Sequence, residues 1–401
     1  MSNLRGFIFI LFHAFCIHIF SNVYFIVAAS EVSNNDDDST KNTCTDEGSS
    51  CSENVHNEQV KDETVSSPLA FMRAFSDLGT SWNHVIAEYI SVVKGADGVD
   101  LKGDIRAQDM DEGLKLLYTM VHEAQSAATT KEEKQSWSFT TTQALLTDFG
   151  KTTDDVLLAF LRWSVVDNNS FQENKSCKLI GGINEYDETN KEINVSKAFR
   201  RLTSYISWMQ SVSEDLVDPP LTYASISPSL STFSLHVTHD SCNRLIWWVN
   251  LGKTDLSAFK SQSPKETTRL FVWIAHLLFL DEGAQTNGLV VIDDMGSISF
   301  WDYMTMLPLQ VGISVDRFLI SVTPLKAKNV VLMHLPRWAE IGYGLLSWFL
   351  TKKMKSRVTI VSKDDEIETL WKAVGGSTYV PVEFGDYKGE LKSDIVAEYS
   401  V

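Results

Sequence analysis

From residue 68 onward, apolar side chains recur at three- and four-residue spacings. Leu69, Met72, Phe75, Trp82, Val85, Ile86 and Tyr89 fall on one stripe and predict a helix over 68–93. A Gly/Asp turn follows at 94–104, without the alternating oxygen ligands of a calcium loop. Further helices are predicted over 109–128, 137–149, 154–163 and 195–212. The polar stretch 166–192 between the last two reads as an exposed insertion, and Pro219-Pro220 closes this helical half.

After Pro220 the period changes. Stretches 231–236 and 245–251 alternate or run apolar around the polar turn THDSCNR, which signals a β-hairpin. Residues 264–281 carry LFVWIAHLLFL, too short a run to span a bilayer and better suited to a buried helix. GLVVID at 288–293 reads as a strand buried on both faces. Helices over 299–307, 314–323, 337–350 and 364–374 then alternate with strands over 330–335 and 357–362. The expected fold class is α/β: an N-terminal helical bundle, then a mixed β-sheet floor covered by helices.

The first thirty residues have a different pattern. Arg5 precedes an apolar run over 6–20, a Ser21-Asn22 break and a second apolar run over 23–29, with small residues at Ala28 and Ala29. This is the layout of a secretory signal peptide over 1–30, and an uncleaved signal anchor is the competing reading. Residues 31–67 hold ten acids against Lys41 and Lys61, a net charge of −8, and few large apolar side chains. They read as an acidic disordered linker. The division is then 1–30 leader, 31–67 linker, 68–150 helical extension, 151–220 helices with the polar insertion, 221–390 ligand-binding domain and 391–401 tail.

The leader implies the secretory pathway, with the chain secreted or anchored with a lumenal domain. Asn168, Asn174 and Asn194 are glycosylation acceptors in form. Outside the leader the cysteines are Cys44, Cys51, Cys177 and Cys242, which allow three pairings or free thiols. Cys44 with Cys51 is the favoured local pair.

Composition narrows the function. The 401 residues are 44% hydrophobic and 22% charged, which excludes a wholly disordered chain. A net charge of −17 lacks the basic footprint of a general nucleic-acid binder. Against that background, residues 326–363 carry eight bases and only Glu340, a local charge of +7. Within this stretch Trp338, Ile341, Leu345 and Trp348 form one stripe of the helix over 337–350, widened by Leu346 and Phe349. A helix apolar on most sides is buried or faces lipid, and a lid moving between pocket and membrane does both. A basic rim beside it suits anionic headgroups, whereas a solvated basic face is the plainer alternative.

Seven segments, in order, resemble the CRAL-TRIO family of lipid-binding and lipid-transfer proteins. They are LLAFLRW (157–163), SYISWMQ (204–210), HDSCNRLIWWVNLG (239–252), GLVVIDDMG (288–296), PLKAKNVVLMHLP (324–336), WFLTKKMKSRVTIVS (348–362) and VPVEFGD (380–386). The last third looks most like the α-tocopherol transfer protein branch. That resemblance implies a non-enzymatic carrier with an apolar pocket and places a phosphoinositide-type headgroup on Lys326, Lys328, Lys353 and Arg357. It implies that sheet residues 247–251 and 289–292, with Trp248, Val290 and Ile292 foremost, floor the pocket and that Trp338, Ile341, Leu345, Trp348 and Phe349 gate it. Leu325 and Met354 stand where the phosphatidylinositol-transferring branch has Glu and Thr, which argues against phosphatidylinositol as cargo. Since phosphoinositides belong to the cytosolic leaflet, a lumenal chain would meet another anionic lipid. The implied partners are a lipid or hydrophobic small molecule and an anionic membrane surface, with no nucleic acid, no cofactor beyond the bound lipid, and a monomeric chain.

Two other readings stay open. One is a membrane-tethered scaffold with a degenerate pocket. The other is a metal-dependent hydrolase built from His236, His239, Asp240, Asp293 and Asp294. G-x-S-x-G, G-x-x-x-x-G-K-[ST] and G-x-G-x-x-G are all absent. His276, inside LFVWIAHLLFL, reads as a satisfied core histidine.

Overall fold

The computed structural model describes residues 105–131, 134, 137–167, 191–296, 298–347, 355–361, 366–374, 381, 384 and 395–399. The helix predicted over 68–93, the leader and the acidic linker lie outside these residues.

The helical half begins with β1 (Arg106–Ala107) and α1 (Met110–Ala127), whose N-terminus is capped by Asp109 accepting from the Glu112 N–H. Next come α2 (Gln143–Asp148), α3 (Thr153–Ser164) with a Thr152/Asp155 capping box, and β2 (Val165–Asp167). From residue 191 the chain continues in β3 (Lys191–Asn194), α4 (Val195–Ser211), α5 (Ser213–Val217) and α6 (Tyr223–Leu230). The strands pair as a small antiparallel sheet of order β1-β3-β2. The sequence pattern did not reveal this sheet, because strands of two to four residues show no usable alternation.

The second half holds β4 (Leu235–His239), β5 (Leu245–Asn250), α7 (Leu256–Lys260), α8 (Pro264–Phe279), α9 (Glu282–Thr286) and β6 (Leu289–Asp294). It continues with α10 (Phe300–Met306), α11 (Leu309–Arg317) running into a π-turn at Phe318–Val322, β7 (Ala327–Met333) and α12 (Arg337–Ser347). It ends with β8 (Val358–Ile360), α13 (Glu366–Val374) and α14 (Ile395–Glu398). The five strands lie in the order β4-β5-β6-β7-β8, with β4 antiparallel to β5 and the remaining pairs parallel. This is the mixed, helix-covered α/β sheet expected from the alternation of strands and helices.

The hydrophobic helix α8 starts on Pro264 within a Ser263/Glu266 capping box and is buried from Thr267 to Phe279. It is the core helix its length suggested. Arg269 on it donates to the carbonyls of Asp215, Pro219 and Pro220 and to Ser225 Oγ, tying the two halves together. Each parallel crossover has its helices packed on one face of the sheet, and α13 packs on the other.

His276 is fully buried on α8. Its Nδ1–H donates to the Val272 carbonyl at 2.7 Å, so Nε2 accepts the Tyr205 hydroxyl at 2.7 Å. Desolvation depresses its pKa to about 4. Protonation would break this arrangement, so His276 contributes stability that is complete above about pH 6.5 and is lost as pH falls toward 4. Tyr205→Phe strands the imidazole nitrogen and is expected to cost about 1–3 kcal/mol at pH 7.5 in a denaturant titration. A change within error would show that the pair carries no stability.

Candidate functional site

Strand pleating decides which sheet residues can meet a ligand. Trp247, Val249 and Leu251 point to one face, as do Val291 and Asp293 on the neighbouring strand. Helices α8, α10 and α11 cover this face with Phe271, Tyr303, Met306 and Val315, leaving a cavity of about 70 Å³. Two acids, Asp293 and Asp316, line this otherwise largely apolar space.

The expected floor residues Trp248, Val290 and Ile292 do not line it. They are buried on the opposite face with Val331 and Met333, against Leu370 and Val374 of α13 and Phe384. The strand segments were right and the parity was wrong. A strand buried on both faces has no polar side to mark which alternation faces the ligand.

The gate residues divide. Trp338 stacks edge-on to Phe300 at 5.6 Å and lies 5.4 Å from Tyr303, so it buttresses the cavity wall from behind. Its indole Nε1–H also donates to the Ile298 carbonyl at 3.4 Å. Ile341 faces outward and is 59% exposed, rather than closing the pocket. Trp348 and Phe349, and the side chain of Leu345, lie outside the described residues. Trp301 on α10, which the sequence pattern did not single out, is 50% exposed and packs edge-on to Phe300. Trp301 and Ile341 thus present apolar surface on the two helices that meet at Phe300 and Trp338.

Three of the four expected headgroup bases come together where β7 and β8 begin. Lys326 Nζ donates to the Arg162 carbonyl at 2.6 Å, which ties the end of α3 to the sheet. Lys328 is exposed. Its stem covers Gly288, where φ is +94° and an added Cβ would lie 2.5 Å from Lys328 Cγ. Arg357 Nη1 donates to the Ala327 carbonyl at 3.3 Å. Lys353 lies outside the described residues.

The metal constellation does not assemble. His239 pairs with Asp281 at 2.9 Å, and Asp240 accepts from Arg244 Nε at 2.6 Å and from the Cys242 and Arg244 N–H groups. His236 is a ring neighbour of Phe384. Asp293 and Asp294 lie four and five residues beyond the level of His239, roughly 13–16 Å along the sheet at about 3.3 Å per residue, and β5 stands between them and His236 on β4. Among the described residues no three His, Cys, Asp or Glu side chains gather.

The two adjacent aspartates have opposite environments. Asp294 accepts from the Gly296 N–H at 2.9 Å and from Asn250 Nδ2 at 3.3 Å, and it pairs with the His334 ring at 2.7 Å. Asp293 has a buried Oδ1 with no hydrogen-bond partner. Burial, and then the charge of Asp294, push its pKa up to about 7. A carboxyl in this state sits in the cavity wall rather than in a salt bridge.

The strand order, the covering helices and the cavity between them set the context for comparison with known proteins. Residues 231–385 match the family model of the CRAL/TRIO domain. The matched CRAL/TRIO segment begins just before β4 and takes in the whole five-stranded sheet, α12 and α13. It supports binding of a lipid or small hydrophobic molecule, since CRAL/TRIO proteins are generally lipid-binding or transfer proteins rather than enzymes. Among solved structures the chain is similar to the crystal structure of Sfh5, at 11% identity and a TM-score of 0.28, covering 44% of this chain and 68% of that one. No curated protein matches.

Two of the positions expected to carry modifications lie among the described residues. Asn194 is only 5% exposed, and its side chain caps α4 by accepting from the Lys197 N–H at 2.7 Å. Ser196, the third residue of that sequon, is fully buried. The folded protein has no room for a glycan there, which corrects the reading of Asn194 as an acceptor. Asn168 and Asn174 lie outside the described residues, as do Cys44 and Cys51. Cys242, in the β4–β5 turn, is disulfide-bonded.

Proposed function

We propose that this protein is a non-enzymatic carrier of a hydrophobic molecule or lipid, of the α-tocopherol transfer protein type, that loads and unloads at anionic membranes. The observation that carries this is the apolar cavity between the sheet and α8, α10 and α11. Drug-sized ligands fill pockets of about 300–1,000 Å³, so a space of about 70 Å³ is a closed state. Uptake requires the covering helices to part. Trp338 links α12 to the cavity wall through Phe300 and Tyr303, so movement of α12 on a membrane loosens that wall. Exposed Trp301 and Ile341 supply apolar contact, and Lys328, Lys353 and Arg357 supply charge.

The leader and the Cys242 disulfide support a lumenal or extracellular location. Native mass spectrometry of the purified full chain, followed by organic extraction, tests the carrier reading. One hydrophobic molecule per chain supports it. A clean apo mass with no uptake from liposomes replaces it with the tethered scaffold.

Membrane docking has its own test. Reversing Lys353 and Arg357 to Glu is expected to weaken binding to anionic liposomes more than tenfold at low salt, because each base near such a surface contributes about 1 kcal/mol. Binding to neutral liposomes should change little. Unchanged partition onto anionic liposomes would remove the basic rim from the mechanism.

A further inference from the structure

Three buried side-chain atoms of residues that line the cavity lack a hydrogen bond: Trp247 Nε1 and Asp293 Oδ1 on the sheet, and Asp316 Oδ2 on α11. Trp247 and Asp293 are 7% and 6% exposed and both line the same cavity. Trp247 pairs with Val291 and Val249 with Asp293, so the two are diagonal neighbours on one face of adjacent strands. That separation is within reach of an indole. An orphaned buried polar group is costly, and a donor beside an acceptor on one sheet face, in the wall of one small apolar space, calls for an explanation.

We propose that Trp247 and Asp293 form a polar docking point for a hydroxyl group, and that the cargo is therefore a hydrophobic alcohol. This rests on the carrier reading above. The chemistry selects the group. An indole N–H only donates, and a carboxyl oxygen accepts. A hydroxyl does both, accepting from Trp247 and donating to Asp293, and satisfies two orphans with one atom. A hydrocarbon leaves both unmet. An ammonium has no lone pair for Trp247. A carboxylate brings negative charge beside Asp293, with Asp294 next in sequence and Asp316 in the same wall. Asp294 itself is already occupied by Asn250, Gly296 and His334, and Asp316 lies on the covering helix α11, so Asp293 is the carboxyl on the sheet beside Trp247.

The test compares dodecan-1-ol, dodecane, dodecylamine and dodecanoic acid binding to the purified full chain by displacement of a fluorescent apolar probe at pH 7.5. The alcohol is expected to bind at least tenfold more tightly than the other three. Trp247→Phe and Asp293→Leu should each bring the alcohol to within about twofold of the hydrocarbon. Asp293→Asn keeps an acceptor and should keep the preference. Trp273→Phe is the control, because Trp273 Nε1 is also buried without a partner but is not in the cavity lining. Equal binding of alcohol and hydrocarbon, as when tightly held water satisfies the pair, overturns the docking point and leaves the carrier intact. A preference that survives Trp247→Phe and Asp293→Leu also overturns it. If none of the four displaces the probe, the inference and the carrier reading fall together.

Discussion

Asp293→Asn is expected to stabilise the protein progressively, relative to the parent, as pH rises from 4 to 8. The reason is linkage. Asp293 titrates near 7 in the folded chain and near the ordinary carboxylate value of 3.8 when unfolded. Between those values the unfolded chain releases a proton that the folded chain keeps. Folding stability from this group therefore falls as pH rises through the window, and is constant above it. A shift of about three pH units corresponds to about 4 kcal/mol as an upper bound. Asparagine does not titrate, so the difference in unfolding free energy between variant and parent should grow across the window and then level off. The groups around this carboxyl are Asp294, itself paired with His334, and Asp316 across the cavity. Denaturant titrations of both proteins at pH 4, 5.5, 7 and 8 provide the check. A difference that stays flat over this range would mean that Asp293 is ionised and solvated in the folded protein.

The second large effect is expected from Trp248→Ala, at about 3–5 kcal/mol of lost stability. Trp248 is fully buried, contacts Phe384 at 5.0 Å and donates its indole N–H to Thr238 Oγ1 at 2.8 Å. It lies on the α13 face of the sheet, away from the cavity. The same substitution should leave the selectivity of the remaining folded protein for its ligand unchanged. The milder Trp248→Phe allows that measurement if the alanine variant does not accumulate. A loss of selectivity on Trp248→Phe, with stability intact, would place the ligand on the other face. The neighbouring Trp247→Phe should show the reverse pattern. Two adjacent tryptophans thus report separately on core and site.

Much of the architecture was legible because its signals are local. Ser263, Pro264 and Glu266 announce the start of α8, and the change of period after Pro220 announces the sheet. Asp109 and Ser299 mark helix starts for the same reason, through side chains that accept from the first free N–H groups. The small sheet of β1, β2 and β3 was not legible. Its pairing joins Arg106 to Asn194, 88 positions along the chain, and its strands are too short to show a period. The predicted strand over 330–335 begins at Ala327 instead, because Lys328 on its exposed side disguised an alternating edge.

The site was legible in outline only. The charge reversal drew attention to Lys326, Lys328 and Arg357, and the structure does gather them where β7 and β8 begin. It also shows Lys326 bound to the Arg162 carbonyl, a contact between residues 164 positions apart. Asp293 and Asp294 are equivalent as letters. One is hydrogen-bonded at the strand end and the other is buried beside Trp247, and the pleat alone decides which.

By itself the sequence determined the change from helices to alternating strands and helices after Pro220, the α/β class, the buried role of α8 and the basic stretch beside an apolar helix. These follow from short-range periodicity, capping and charge density, which neighbouring residues carry in full. Only the tertiary structure decided the face of the sheet that holds the cavity, the outward turn of Ile341, the burial of Asn194 and the orphaned pair of Trp247 and Asp293. Each of those depends on which distant element covers a residue, and a strand apolar on both faces is silent about what lies above it.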